Sequence, residues 1–270
     1  MSRSWLNGPT CRGLTYAVVD GQELCLDLYL PFWKTKCPLV IYFHGGGWST
    51  GSYQESGVSW LTGHGFAVAS VQYRLSGEAK FPAQVHDAKG AIRWLRAHGD
   101  EFGFDGERIS VVGVSSGGHI AMMAGLASKK WEGTVGGNLK IPSHVDSIVN
   151  YFGASDFILR SQTQPSATEP PGSVVHKLLG APVTGNEKLA KDASPAFHVD
   201  EDSPPLFVIH GAQDPQVKVD QAYRISEKYQ ELGCELEIKI FAEGGHGGAE
   251  FFNREMRSQV SYFLTKHLIA

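Results

Sequence analysis

Cysteine is scarce: the four residues Cys11, Cys25, Cys37 and Cys234 are too few and too scattered to build a disulfide scaffold. No CxxC pair occurs and no cysteine has a histidine at metal-ligand spacing, so no zinc site is expected. They read as thiols, some of them buried. A bridge among Cys11, Cys25 and Cys37 is the alternative that an oxidising compartment would bring. A Lys/Arg-rich run is also missing, and 24 Lys+Arg against 28 Asp+Glu give a net charge of −4. That balance excludes an electrostatic nucleic-acid binder. Only 19% of residues are charged while 42% are hydrophobic, which excludes a disordered chain. Apolar runs such as 39–43 and 66–71 end in Gly or polar residues, far short of the roughly 20 residues of a membrane-spanning helix. Residues 1–14 lack the apolar segment of a signal peptide, interrupted by Arg3, Asn7, Gly8, Pro9 and Arg12. The chain as written reads as cytoplasmic, with a secreted protein whose leader has been removed as the alternative. There is no internal repeat and no low-complexity tract.

What is present is a strand–helix rhythm over 270 residues, enough for one large domain with a substantial core. Residues 24–30 alternate apolar and polar side chains and stop at Pro31, as an antiparallel strand would. Residues 38–43 (Pro-Leu-Val-Ile-Tyr-Phe) form a continuous apolar run closed by glycines, which suits a strand buried on both faces. Runs 66–73, 109–114, 145–152, 206–210 and 236–241 read as further strands. Segments 82–97, 118–126, 221–232 and 249–268 carry helical periodicity. This alternation predicts an α/β fold: a mostly parallel central sheet with helices on both faces and antiparallel N-terminal edge strands. Residues 161–191 break the rhythm with Pro165, Pro170, Pro171 and Pro182, and read as an insertion over the sheet containing two short helices. The domain expected is 1–270 as a single unit.

Gly113-Val114-Ser115-Ser116-Gly117 matches G-x-S-x-G. With 32 glycines in the chain the string alone is weak, but a buried strand runs into it and a small-residue helix follows. That context is a nucleophile elbow, which projects the serine hydroxyl above the sheet from a strained backbone. His44-Gly45-Gly46-Gly47-Trp48 closes the 38–43 strand, and its glycines can turn N–H groups toward a cavity, as an oxyanion hole requires. A dinucleotide loop fits less well, because G-x-G-x-x-G starting at Gly45 would need glycine at Thr50. His44 reads as a loop brace.

A serine nucleophile needs a base and a carboxylate to orient it. Asp214 follows the 206–210 strand, and His246 follows the 236–241 strand in a glycine-rich loop. In a parallel sheet both loops emerge on the Ser115 edge, and the order Ser…Asp…His suits a hydrolase. His64, His86, His98, His119, His144, His176, His198, His210 and His267 precede the acid, lie in predicted helices or the insertion, or are terminal. Asp156, after the 145–152 strand, is the rival acid, set aside on strand order. Asp87, Asp105 and Asp202 read as helix-face or turn carboxylates. Trp48 stands where it would either line a substrate pocket or pack.

Together these motifs resemble the α/β-hydrolase superfamily, near the hormone-sensitive-lipase-like carboxylesterases and nearer the small feruloyl and acetylxylan esterases. The resemblance runs from His44-Gly45-Gly46-Gly47-Trp48 through Tyr73-Arg74-Leu75, Phe81-Pro82-Ala83, Asp87, Arg93-Trp94-Leu95 and Gly103-Phe104-Asp105. It continues through Arg108-Ile109, the elbow with Gly118, and His210-Gly211 with Asp214. It implies a serine carboxylic-ester hydrolase acting on short-chain, aryl or sugar esters, a small-molecule partner, and no metal or organic cofactor. It also implies that Gly46, Gly47 and Ser116 donate to the oxyanion. Two departures turn it away from long-chain lipases. Val114 and Ser116 replace Asp and Ala at the elbow, and the 43 residues before His44 read as edge strands rather than a helical cap. The rival readings are an amide hydrolase of the kynurenine formamidase type, whose glycine–Trp loop is similar, and a non-catalytic ligand-binding protein on the same fold.

Overall fold

The apolar runs become strands because each is too short for a helix and is closed by glycine, proline or a polar turn. In the computed structural model, which describes residues 8–33, 35–127 and 130–269, they form one eight-stranded sheet. The strands are β1 (Cys11–Val19), β2 (Gln22–Tyr29), β3 (Cys37–Phe43), β4 (Ala67–Val71), β5 (Phe104–Val114), β6 (Ser147–Tyr151), β7 (Leu206–Gly211) and β8 (Leu236–Phe241). Their spatial order is β1-β2-β4-β3-β5-β6-β7-β8. β1 and β2 run antiparallel at one edge, and every pair from β4 to β8 is parallel. The mostly parallel sheet with antiparallel N-terminal edge strands is thus the observed one. Arg3 and Asn7, cited above in reading the N-terminal segment, lie outside the described residues.

Helices α1 (Ala83–Phe102), α2 (Ser116–Leu126) and α6 (Asp220–Glu231) cover one face, and α8 (Arg254–Leu268) with a 3₁₀ turn at Ser59–His64 covers the other. β3 shows why its run is continuous. Leu39, Ile41 and Phe43 enter one core while Val40 and Tyr42 enter the other, so neither face tolerates a polar residue. The helix predicted over 249–268 is split at Asn253, whose side chain accepts from Met256 N (2.9 Å) and so starts α8 after the short α7 (Ala249–Phe252). No disulfide joins the four cysteines. Among the described residues no helix is long and apolar enough to cross a membrane.

The departure from rhythm begins earlier than residue 161. Between β6 and β7 the chain leaves the sheet and builds α3 (Phe157–Thr163), α4 (Val174–Leu179) and α5 (Glu187–Asp192), with 3₁₀ turns at Pro165–Ala167 and Pro195–Phe197. The far end of this excursion is tied back to its start. Ala196 N donates to Ser155 O (2.9 Å), and Phe157 N donates to Ser194 Oγ (2.8 Å). Within 161–191 the two short helices expected are α4 and α5, while α3 begins before that span.

Candidate active site

Ser115 sits between β5 and α2 with φ 56° and ψ −118°, a left-handed backbone that costs a non-glycine residue on the order of 1–3 kcal/mol. The surrounding turn leaves it no alternative. A Cβ on Gly117 would come within 2.0 Å of Phe43 O, so the start of α2 lies directly on the end of β3. Ser115 N donates to Tyr151 O (2.8 Å), fixing the turn from the other side.

His246 Nε2 lies 2.8 Å from Ser115 Oγ and is oriented to accept its proton. At the far side of the ring, Nδ1 donates to Asp214 Oδ2 at 2.6 Å. The ring leans on Phe152, with centroids 4.7 Å apart. Asp214 is itself held fast: Oδ1 accepts from the N–H groups of Gln216 (2.8 Å) and Val217 (2.9 Å), and His210 Nε2 is 3.4 Å from Oδ2. Burial alone would raise the Asp214 pKa. Hydrogen bonds from His210, His246 and Val217 outweigh it and hold the carboxyl well below the usual carboxylate range.

The loop after β3 closes the near side of the cleft. Gly46 has φ 119°, and a Cβ there would meet Thr50 O at 2.2 Å. Among the described residues no protein acceptor takes the N–H groups of Gly46 and Gly47. Ser116 is the first residue of α2, so its N–H has no acceptor within the helix. His44 braces this loop: it stacks on Tyr73 (centroids 4.5 Å), whose hydroxyl donates to His44 O (2.9 Å). Burial lowers the His44 pKa, only partly offset by its hydrogen bond to Gly45 O. The neighbouring Arg74 grips the fully buried Asp87, at 2.7 Å from Nη2 to Oδ1 and 2.9 Å from Nε to Oδ2. Asp87 is therefore an internal clamp between α1 and the strand end, not a helix-face carboxylate.

Trp48 borders the cleft, but its side chain is 2% exposed. Nε1 donates to His119 Nδ1 (3.2 Å), and the ring packs edge-on to Phe157. It thus packs in the core while bordering the cleft. Asp156, the rival carboxylate, lies away from His246: Oδ1 caps α3 through the N–H groups of Ile158 (2.9 Å) and Leu159 (3.0 Å), and Oδ2 accepts from Arg224 Nε (3.0 Å).

Two depressions meet at Ser115 and His246. One, about 380 Å³, runs under the β6–β7 excursion past Arg160, Gln164, Ser166 and Ser173. The other, about 510 Å³, opens toward Gly46, Phe152 and Phe252. Arg160 and Phe152 drew no attention in the sequence. An isolated arginine in a polar segment reads as a surface residue, and a phenylalanine ending an apolar strand reads as core. Among the described residues no group of three or more His, Cys, Asp and Glu is arranged to hold a metal ion.

A parallel sheet with this elbow, glycine loop and late histidine defines an α/β-hydrolase. The chain belongs to the BD-FAE family, whose model matches residues 26–229. It is 30% identical over 228 residues to esterase LipC of Mycobacterium tuberculosis, covering 81% of this chain and 56% of that one. It is 32% identical over 188 residues to the probable carboxylic ester hydrolase LipM of the same organism, covering 68% of this chain and 43% of that one. The chain therefore spans about half the length of the curated relatives it matches. Among solved structures it resembles a truncated carbohydrate esterase from gut microbiota, with TM-score 0.89 and 28% identity over 97% of this chain and 100% of that one.

Proposed function

We propose that this chain hydrolyses carboxylic esters through Ser115, His246 and Asp214. The observation that carries the reading is the continuous hydrogen-bonded line from Ser115 Oγ through the His246 ring to Asp214, at 2.8 and 2.6 Å. His246 Nε2 takes the hydroxyl proton as Oγ bonds to the ester carbonyl carbon, and Asp214 fixes the ring tautomer and stabilises the imidazolium. The oxyanion is received by the N–H groups of Gly46, Gly47 and Ser116, each such donor being worth about 2.7–4 kcal/mol in related settings. Collapse expels the alcohol, protonated by His246, and leaves an acyl-Ser115. Water then loses a proton to His246 and attacks the acyl carbon, releasing the acid and restoring the serine hydroxyl.

The substrates proposed are short acyl esters of sugar or aryl alcohols. The name of the gut carbohydrate esterase favours a sugar alcohol. The roughly 380 Å³ depression beside Ser115 has polar side chains along its wall, so added methylenes would stay partly in water and contribute little. On a panel of p-nitrophenyl esters, kcat/KM should peak from acetate to butyrate and fall by octanoate. Ser115→Ala should abolish both turnover and labelling by a fluorophosphonate while leaving thermal unfolding nearly unchanged. Near-wild-type turnover in Ser115→Ala would overturn the reading.

A further inference from the structure

The depression under the β6–β7 excursion contains a charge that ester hydrolysis does not use. Arg160, on α3, is 3% exposed and borders the same cleft as Ser115. Among the described residues its guanidinium makes a single hydrogen bond, from Nη2 to Gln216 O at 2.7 Å, and its buried Nε has no acceptor. No carboxylate forms an ion pair with it among the described residues. Asp214 and Asp220 act on it only through space, and Asp214 already accepts from His246, Gln216 and Val217. Burial lowers the Arg160 pKa to about 10, against the pull of those two carboxylates, which still leaves it cationic at neutral pH. A second unsatisfied group borders the same depression: Ser173 Oγ is buried without a partner among the described residues.

A guanidinium offers five N–H donors in a planar fork, and a desolvated one without a counter-ion is costly to keep. Here the guanidinium belongs to a residue lining a cleft that also reaches the reacting serine. We propose that Arg160, with Ser173, binds a carboxylate carried by the ester itself, so that the favoured substrates are anionic esters. This rests on the hydrolase reading above. Charge and shape agree: a carboxylate fits the fork through two parallel hydrogen bonds, and lysine cannot reproduce that geometry. The carboxylate has two sources, the acyl part (a half-ester of a dicarboxylic acid) or the alcohol part (an acylated hydroxy acid).

The measurement is a ratio, kcat/KM for an anionic ester over that for p-nitrophenyl butyrate, which cancels any general damage to the fold. p-Nitrophenyl hemisuccinate puts the carboxylate on the acyl side and 4-acetoxybenzoate puts it on the leaving side. Arg160→Gln should lower at least one ratio by about tenfold or more, chiefly through KM, with partial recovery in Arg160→Lys. Which ratio falls names the source. If neither ratio moves, Arg160 is only a brace for the Gln216 turn and the proposal is wrong. Product binding supplies an independent reading that needs no turnover. Succinate or 4-hydroxybenzoate should raise the Tm of the wild type more than that of Arg160→Gln, and equal shifts, or none, would count against the subsite. Failure of the wild type to cleave any ester, with a carboxylate-specific Tm shift retained, would sink the hydrolase reading and leave the anion site standing.

Discussion

Two loops leave neighbouring parallel strands at the same edge of the sheet, and each contains an aspartate close to the strand end. After β6 the chain reads Phe152-Gly153-Ala154-Ser155-Asp156, and after β7 it reads Ala212-Gln213-Asp214. Both carboxylates are nearly buried, at 3% and 4% exposed. Their partners differ in kind. Asp156 faces a helix start and Arg224, groups that hold the excursion in place. Asp214 turns one oxygen to its own loop's N–H groups and keeps the other for a histidine three strand-ends beyond Ser115 in sequence but adjacent to it in space. Burial and position along the strand therefore do not distinguish a structural acid from an orienting one. The donor that claims the second oxygen does.

Removing the charge at each position is the strongest way to break this comparison. Asp214→Asn should lower kcat by about 10⁴-fold, because an amide at Oδ2 no longer favours the Nδ1–H tautomer of His246. Nothing in the Asp156 environment would transmit such an effect, so a comparable loss in Asp156→Asn would mean that the two loops have been assigned the wrong way round.

Acid should separate the two regions more gently. The excursion after β6 is moored by His119, whose Nε2 donates to Ala193 O (2.8 Å) while Nδ1 accepts from Trp48. Burial lowers its pKa from 6.5 to about 4, opposed by the Ala193 hydrogen bond. Because the folded pKa lies below the unfolded one, its contribution is fully present above pH 6.5 and is lost as pH falls toward about 4. The loss amounts to about 3 kcal/mol at most. Asp214 has the same sign but a lower window: its contribution is present above its unfolded pKa of 3.8 and disappears as pH falls through its depressed folded value. Denaturant unfolding from pH 7 to pH 3 should show the upper slope in the wild type and in Asp214→Asn, and a shallower one in His119→Gln, where His44 and His198, also lowered by burial, keep part of it. An unchanged slope in His119→Gln would detach that histidine from the acid response.

The smallest effect expected is the stability change in Asp156→Asn. Asparagine caps a helix as well as aspartate does, so the N-cap survives. What is lost is the pair with Arg224, whose side chain is 26% exposed, worth no more than about 1 kcal/mol. A Tm drop of a few degrees with turnover changed less than about threefold would fit, and urea unfolding of the purified variant would measure it.

The catalytic candidates were legible because each is a local pattern at a strand end: three glycines after β3, a glycine-flanked serine after β5, and an aspartate and a histidine after β7 and β8. Parallel strands convert that sequence property into proximity. Features that depend on long-range pairing were not. β1 (Cys11–Val19) shows no clean alternation, since its register with β2 shifts between Cys11 and Leu14 and again between Thr15 and Ala17. The polar start of β5, Phe104–Arg108, becomes strand only because Cys37 and Pro38 of β3 lie beside it. Arg160 follows the same logic. Its neighbours in sequence are ordinary, and its burial comes from the Gln216 turn, more than fifty residues further on.

The proposed base follows an edge strand of the sheet. Among the described residues β8 pairs with β7 alone, none of its residues is fully buried, and Ile238 is 42% exposed. Ser115, by contrast, hangs from β5 in the middle of the sheet. The two ends of the proposed proton-transfer pair thus belong to units of different local stability, and amide exchange along β8 should run ahead of exchange along β5. On gentle warming the base would drift out of register while the nucleophile's elbow still stands. Inactivation and melting then become separate events, and the working ceiling of the proposed activity is set by an edge strand rather than by the core.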